Sequence, residues 1–307
     1  MKVIIYSVMP VIPPDYGGAV RVFNVARALS QKGIDVILVS PKPVNITELD
    51  NKIKYVFFES SNRGFLQKVP LIRKLKHFSS FFCFFRQFKL LRRIIKANLN
   101  QNSALILQSE YIYSAAPLFL LGKIFHLPLI ITEHNVESEL SFEINRNPVY
   151  YYILKTVERF FLNRCNCVIC VSDTDKSVLN REYTIPDEKL FVAPNAADLP
   201  ELDDSIPLNV DGLKREYGIS ADTHIVLFMG TLKYGPNLGA VNAIESIICP
   251  RVCSRISNVV FMIVGNGVQP KKDESIIFTG LVDNVDPYLR MADITIAPLT
   301  EGGGTRL

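Results

Sequence analysis

A glycine pair, Gly17-Gly18, closes the loop Pro13-Pro14-Asp15-Tyr16-Gly17-Gly18, directly after the first apolar run of the chain. Paired glycines let backbone N–H groups approach an anion at the start of a helix, where the dipole adds to the attraction. The spacing is not G-x-G-x-x-G, so an NAD-dependent dehydrogenase is a poor fit. An ordinary strand-to-helix turn would look the same. Farther along, Ile130-Ile131-Thr132-Glu133-His134-Asn135 places His134 just past another apolar run. If that run is a strand of an open α/β sheet, His134 stands at the edge where ligands bind. There it can donate to a sugar hydroxyl or move a proton. The plain alternative is a solvent-facing loop histidine.

The second half repeats the theme. In Met229-Gly230-Thr231-Leu232-Lys233-Tyr234-Gly235-Pro236-Asn237, Lys233 can meet a phosphate as a mobile point charge. Val264-Gly265-Asn266-Gly267 ends a further apolar run, where Gly265 and Gly267 would admit a flat base or ribose. The strongest local signal is Pro298-Leu299-Thr300-Glu301-Gly302-Gly303-Gly304-Thr305-Arg306-Leu307. Gly303 and Gly304 expose backbone N–H groups, Thr305 a hydroxyl, and Arg306 a bidentate fork suited to a diphosphate. Each of these also fits a plain turn or loop tip. Cys165, Cys167 and Cys170 lack the second ligand pair of a closed zinc site, so no metal is expected and they read as small buried hydrophobes.

The elements needed to hold such loops are legible. Val3–Ser7, Asp35–Ser40, Lys54–Phe58, Ala104–Gln108, Leu129–Thr132 and Val168–Val171 read as strands. Gly18–Gln31, Tyr113–Phe125, Tyr150–Leu162 and Asp173–Glu182 read as the helices between them. Near-continuous apolar strands alternating with helices predict a parallel sheet covered on both faces. A Pro-, Asp- and Asn-rich stretch, Pro194 to Asn209, reads as a linker. The pattern then restarts with strands Ile225–Met229, Val259–Val264, Ile276–Phe278 and Ile294–Ala297 and helices Pro236–Ile248 and Val285–Met291. The expectation is an α/β protein of two Rossmann-like domains, residues 1–198 and 199–307, the second incomplete.

A chain of 307 residues that is 48 % apolar can bury two cores and is not disordered. Its net charge of +4 is unevenly placed. Ten Lys and Arg and no acid lie between Glu59 and Glu110, and the rest of the chain carries 24 basic residues against 30 acidic ones. Residues 63–96 also hold Phe78, Phe81, Phe82, Phe84, Phe85 and Phe88. Aromatic rings among cations suit an anionic membrane surface. A helix with its rings in the core is the plain alternative; the expectation is some rings in the core and a basic rim that touches membrane, and nucleic acid is not expected. No run is long enough to span a bilayer, and six scattered cysteines fit a reducing cytoplasm, with the protein peripheral on the inner face of the membrane.

In order and spacing these pieces resemble the retaining nucleotide-sugar glycosyltransferases called group 1, or family 4, with the GT-B fold. The resemblance spans nearly the whole chain. It rests on Tyr16-Gly17-Gly18, Glu133-His134-Asn135, Val171-Ser172 and Ala193-Pro194-Asn195-Ala196-Ala197-Asp198 in the first half. In the second it rests on Phe228-Met229-Gly230-Thr231, Val264-Gly265-Asn266-Gly267, Phe278-Thr279-Gly280, Ala292-Asp293 and Gly302-Gly303-Gly304-Thr305-Arg306-Leu307. It implies that a sugar passes, with retention, from a nucleotide-sugar donor held by the second domain to a glycan or lipid-linked acceptor held by the first. No cofactor is implied.

By the same match, Gly17 and Gly18 approach the donor phosphate, His134 contacts the donor sugar, and Gly303, Gly304, Thr305 and Arg306 cradle the phosphates. Two departures stand out. Thr231 occupies the place of an Arg found in many relatives, leaving Lys233 and Arg306 to supply charge. Glu301 only loosely matches the first of a glutamate pair, and the second would lie past Leu307, so a chain ending there is expected to be inactive. A nucleotide-sugar epimerase of similar fold and a degenerate, non-catalytic binding module are the alternatives.

Overall fold

A computed structural model describes residues 1–14, 16–43, 49–59, 76–99, 103–196, 210–273 and 275–300, apart from the side chains of 76–83 and 144–145. These residues form two compact units, one running to residue 196 and one starting at residue 210.

The first unit contains β1 (Lys2–Ser7), α1 (Gly17–Gln31), β2 (Asp35–Pro41), β3 (Lys54–Phe58), α2 (Lys76–Asn98), β4 (Leu105–Glu110), α3 (Ala115–Phe125) and β5 (Leu129–Thr132). It continues with α4 (Glu137–Asn145), α5 (Pro148–Arg164), β6 (Cys167–Cys170), α6 (Asp173–Tyr183) and β7 (Leu190–Val192). Its seven strands form one wholly parallel sheet in the order β3-β2-β1-β4-β5-β6-β7.

The two-residue period of a strand splits the core cleanly. Val3 and Ile5 of β1, with Val36 and Leu38 of β2, pack under Val22 and Ala26 of α1. Ile4 and Tyr6, with Ile37 and Val39, face the opposite layer, which includes Leu91 and Ile95 of α2, Leu118 and Leu121 of α3, and Leu154 and Leu162 of α5. Each such side chain contributes about 1.5–3 kcal/mol by leaving water.

The differences from the sequence reading have local causes. β4 ends at Glu110 rather than Gln108, because Ser109 and Glu110 keep pairing with β1 and β5 although both are polar. α4 escapes a helical reading since Leu140, Phe142 and Ile144 alternate as in a strand. β7 is only three residues long. A 3-10 turn, Ile112–Ser114, precedes α3 where one helix is expected.

The second unit holds α7 (Val210–Glu216), β8 (His224–Met229), α8 (Gly235–Ala243), α9 (Cys249–Cys253), β9 (Val259–Val264), β10 (Lys271–Lys272), β11 (Ile276–Gly280), α10 (Asp286–Met291) and β12 (Ile294–Thr295). Its sheet runs β10-β11-β9-β8-β12, parallel except for the short antiparallel β10. The expected helix over Pro236–Ile248 widens into a π-helical stretch at Ile244–Ile248 before α9. Pro250 explains the widening, since it lacks an N–H and crowds the carbonyl one turn earlier.

The glycines that end the strands of this unit face one another. A Cβ on Gly265 would collide with the Gly230 carbonyl, and Gly265 has φ +150°. Gly265→Ala is therefore expected to destabilise the chain by about 2 kcal/mol or more. Gly239→Ala, in open space on α8, is expected to be neutral or stabilising by up to ~1 kcal/mol. Urea unfolding followed by circular dichroism checks both.

Candidate active site

In a parallel sheet every strand delivers its outgoing loop to the same edge. The order of the first unit reverses between β1 and β4, where the chain moves outward in opposite directions, and such a switch point opens a crevice. Four loops meet there, and they carry Tyr16 to Gly18, Glu110 and Tyr111, His134, and Ala193 to Asn195.

His134 is buried, which removes the solvent-facing alternative. Its Nε2 lies 2.8 Å from Glu110 Oε2. Gln108 donates from Nε2 to the other oxygen, Oε1, at 2.7 Å. With Glu110 accepting on both oxygens, Nε2 of a neutral His134 carries the hydrogen and Nδ1 keeps its lone pair. In that form the imidazole offers Nδ1 as an acceptor to a hydroxyl or a proton. The ring stacks on Tyr111, with centroids 4.0 Å apart and planes at 19°.

Tyr111 pays for that position in backbone strain. Its φ of 64° and ψ of 151° fall in a region otherwise left to glycine, at a cost of about 1–3 kcal/mol. Burial pushes its phenol pKa far up, so the hydroxyl stays neutral. The phenol oxygen lies against Gly18, and any Cβ there would overlap it. Packing on Tyr111 is thus the local reason for a glycine at 18. Gly17 opens α1 beside it.

Arg21, one turn into α1, is buried and donates from Nη1 to Asn195 Oδ1 and from Nη2 to the Ala193 carbonyl, both at 2.6 Å. Burial lowers its pKa and the nearby Glu110 opposes that. The arginine ties the loop after β7 to the loop after β1. Sequence reading passed over Arg21, Gln108, Glu110 and Tyr111 as site residues. The available signal was a pair of polar residues, Gln108 and Glu110, at the end of an otherwise apolar run.

Beneath His134 lies a layer of carboxyls. Glu133 is fully buried, and neither of its oxygens has a hydrogen-bond partner among the described residues. Burial, then the nearby Glu158, Glu137, Glu110 and Asp175, push its pKa well up, so it is held neutral. Burial likewise pushes Glu137 up to about 7, opposed by hydrogen bonds from Asn135 and Tyr113. Glu158 is raised by burial but accepts from Ser138 N and from the Tyr183 hydroxyl.

In the second unit, Lys233 is exposed in the loop after β8, and that loop is pinned to the one after β9 by Leu232 N donating to the Asn266 carbonyl at 2.7 Å. Gly265 and Gly267 serve this contact, since a Cβ on Gly267 would press on Lys233 at 3.0 Å. Loop-on-loop packing is by itself a reason for glycine at both positions. Glu301, Gly303, Gly304, Thr305 and Arg306 lie outside the described residues, as do residues 197–209, where the linker and domain boundary were expected.

Cys165 and Cys170 are buried thiols, pushed up to about 12 and about 11 by desolvation, and their Sγ atoms donate to backbone carbonyls. Among the described residues, no group of three or more His, Cys, Asp or Glu is placed to hold a metal, and no helix is long and apolar enough to cross a membrane.

Because folding raises the Glu133 and Glu137 pKa values, their contribution to stability is complete below the ordinary carboxylate range. It is lost as pH climbs through the folded values, about 7 for Glu137. Glu133→Gln is expected to flatten the fall in stability between about pH 5 and 8 and to leave the chain no less stable at neutral pH. Thermal melts across that range test it; an unchanged pH slope would show Glu133 is not held neutral.

Residues 16–201, more than half the chain, match the family described as Glycosyltransferase Family 4, and residues 223–307 match Glycosyl transferases group 1. Among the curated proteins none matches. Of solved structures, sucrose-phosphate synthase from Thermosynechococcus elongatus is similar at TM-score 0.69 and 16 % identity, covering 100 % of this chain and 77 % of that one. A glycosyltransferase from Rickettsia africae gives 0.68 and 18 %, covering 98 % and 74 %. Anabaena HepE in complex with UDP and glucose gives 0.62 and 12 %, covering 99 % and 75 %. The switch-point crevice, the two α/β units and these matches agree: the chain belongs to glycosyltransferase family 4 and has the GT-B fold.

Proposed function

We propose that the chain moves a sugar, with retention of configuration, from a nucleotide-sugar donor to a lipid-linked or polysaccharide acceptor. The observation that carries this reading is the buried His134–Glu110 pair, stacked on Tyr111 at the ligand-binding edge of the parallel sheet. Glu110 fixes the tautomer of His134, and Tyr111 fixes its plane. Nδ1 is then the atom that receives a hydroxyl of the bound sugar. That orientation lowers the cost of reaching the transition state, because the ring does not reorganise during reaction.

The similar Anabaena protein was solved with UDP and glucose, which favours a UDP-linked hexose as donor. In this reading Gly17 and Gly18 come close to the donor phosphate, and Lys233, Gly303, Gly304, Thr305 and Arg306 neutralise the leaving diphosphate without a metal. Glu301 is, with His134, the second residue assigned a catalytic role. Gly265 and Gly267 hold the shape of the donor-side loops. The family match favours transfer over the epimerase alternative. The reading extends to a peripheral position on an anionic membrane surface, to which the cations of the basic stretch 63–96 are suited.

Calorimetry with UDP-, GDP- and dTDP-sugars is expected to find one preferred donor, and Arg306→Ala to weaken it about tenfold or more by removing a charge-assisted contact. With that donor, His134→Ala is expected to lower kcat about 10²-fold and Glu110→Gln by less, since the amide can still bond the ring. A folded chain that binds none of the three donors would instead support the degenerate binding module.

A further inference from the structure

The layer formed by α2, α3 and α5 differs from an ordinary solvated helical face. α3 packs against both neighbours. Together the three helices contain ten Lys and Arg and one carboxylate, Glu158, and that carboxylate is fully buried. The whole layer therefore presents no acidic group to solvent. Along α5, the spacing of Val149, Ile153, Val157 and Phe160 aligns them on one face, and all four are exposed. Leu120 and Ile124 of α3 are exposed too, and Phe119 beside them meets Phe160 edge to face at 5.8 Å. A contiguous apolar ridge of this kind on a soluble domain marks a contact surface.

The ridge ends at a cavity of about 380 Å³ between the last turns of α3 and α5. Its lining includes Lys123, His126 and Arg164. Arg164 lies over the Phe160 ring at 4.2 Å and Lys123 over Phe119 at 5.7 Å. Their apolar stems extend the ridge while their charged heads converge at its end. The cavity also touches Leu129, the first residue of β5, so it sits at the strand edge opposite His134.

We propose that this face docks on an anionic lipid bilayer, with the α5–α3 ridge entering the headgroup–acyl boundary and the Lys123, His126 and Arg164 cavity taking a lipid phosphate. It rests on the membrane-side part of the reading above and not on the transfer chemistry. Charge decides the occupant. An extended sheet of anionic headgroups complements a layer with many cations and no exposed acid, and apolar side chains flanked by Lys and Arg are the pattern of an interfacial helix. The contact is built on α3 and α5, outside the basic stretch 63–96, which supplies only the flanking cations of α2.

The test is flotation of the chain with vesicles of phosphatidylcholine alone and of phosphatidylcholine with phosphatidylglycerol. The chain should float with the second and not the first. Ile153→Glu with Val157→Glu should reduce binding about tenfold or more, and Lys123→Glu with Arg164→Glu should do the same. These side chains are exposed, and an unchanged circular dichroism melt confirms the fold.

The chain has no tryptophan, so Tyr152→Trp gives a single reporter beside the ridge, whose emission should shift to the blue with anionic vesicles. Three results would overturn the proposal. One is no flotation at low salt. Another is ridge variants that float like the parent. The third is sedimentation showing a dimer that Ile153→Glu dissociates, which would assign the ridge to a second copy. Donor calorimetry on the same variants separates the two readings, because loss of donor binding leaves flotation unaffected and the reverse also holds.

Discussion

A parallel strand cannot reach its neighbour through a tight turn, so each connection must climb back over the sheet as a helix. That constraint organises the first unit. It covers both faces with helices and lets the strand interiors be apolar throughout. It also collects every outgoing loop on one edge. Residues far apart in sequence, from Tyr16 to Asn195, meet there without any folded feature built only for the purpose. The order of β1 and β4 opens the crevice, and Arg21 then ties the first loop to the last through Ala193 and Asn195.

Polar groups at that edge are buried at a cost that the surrounding sheet and helices offset. Glu110 is satisfied by Gln108 and His134, so its burial serves to orient a ring. Glu133 has no hydrogen-bond partner among the described residues and is kept neutral instead, as burial of an unpaired carboxyl requires. Tyr111 adds backbone strain, held in place by the stack on His134 and by the absence of a side chain at Gly18. Strain, an unpaired carboxyl and a fixed tautomer within one crevice mark a place where stability has been given up for geometry.

The outer flank of the same unit follows a different rule. α6 presents the usual mixture of charges, whereas α2, α3 and α5 are depleted of exposed acids and α5 turns branched and aromatic side chains outward. Periodicity alone does not reveal this. α5 has an apolar residue on nearly every side, and only its packing against α3 and α4 shows which of them are left uncovered.

Much of the fold was legible because the patterns are local. β1, β2, β3, β5, β8 and β9 stand within a residue of where alternating and continuous apolar runs place them, and the restart of the α/β pattern after the linker shows two units. The place of His134 just past β5 was legible too, since it follows an apolar run. Where local pattern and tertiary partner disagree, the sequence was silent or misleading. β4 extends through Ser109 and Glu110 because β1 and β5 pair with them, and α4 is helical despite a strand-like period.

Gly18, Gly265 and Gly267 read as openings for a ligand, and the structure adds a packing reason for each, against Tyr111, Gly230 and Lys233. By itself, then, the sequence determined the class of fold, the two units and the position of His134 past its strand, all set by short-range periodicity. Only the tertiary structure decided which ring nitrogen of His134 faces Glu110, which carboxyl stays neutral and which helical face is exposed. Those depend on which groups, distant in the chain, exclude water from one another.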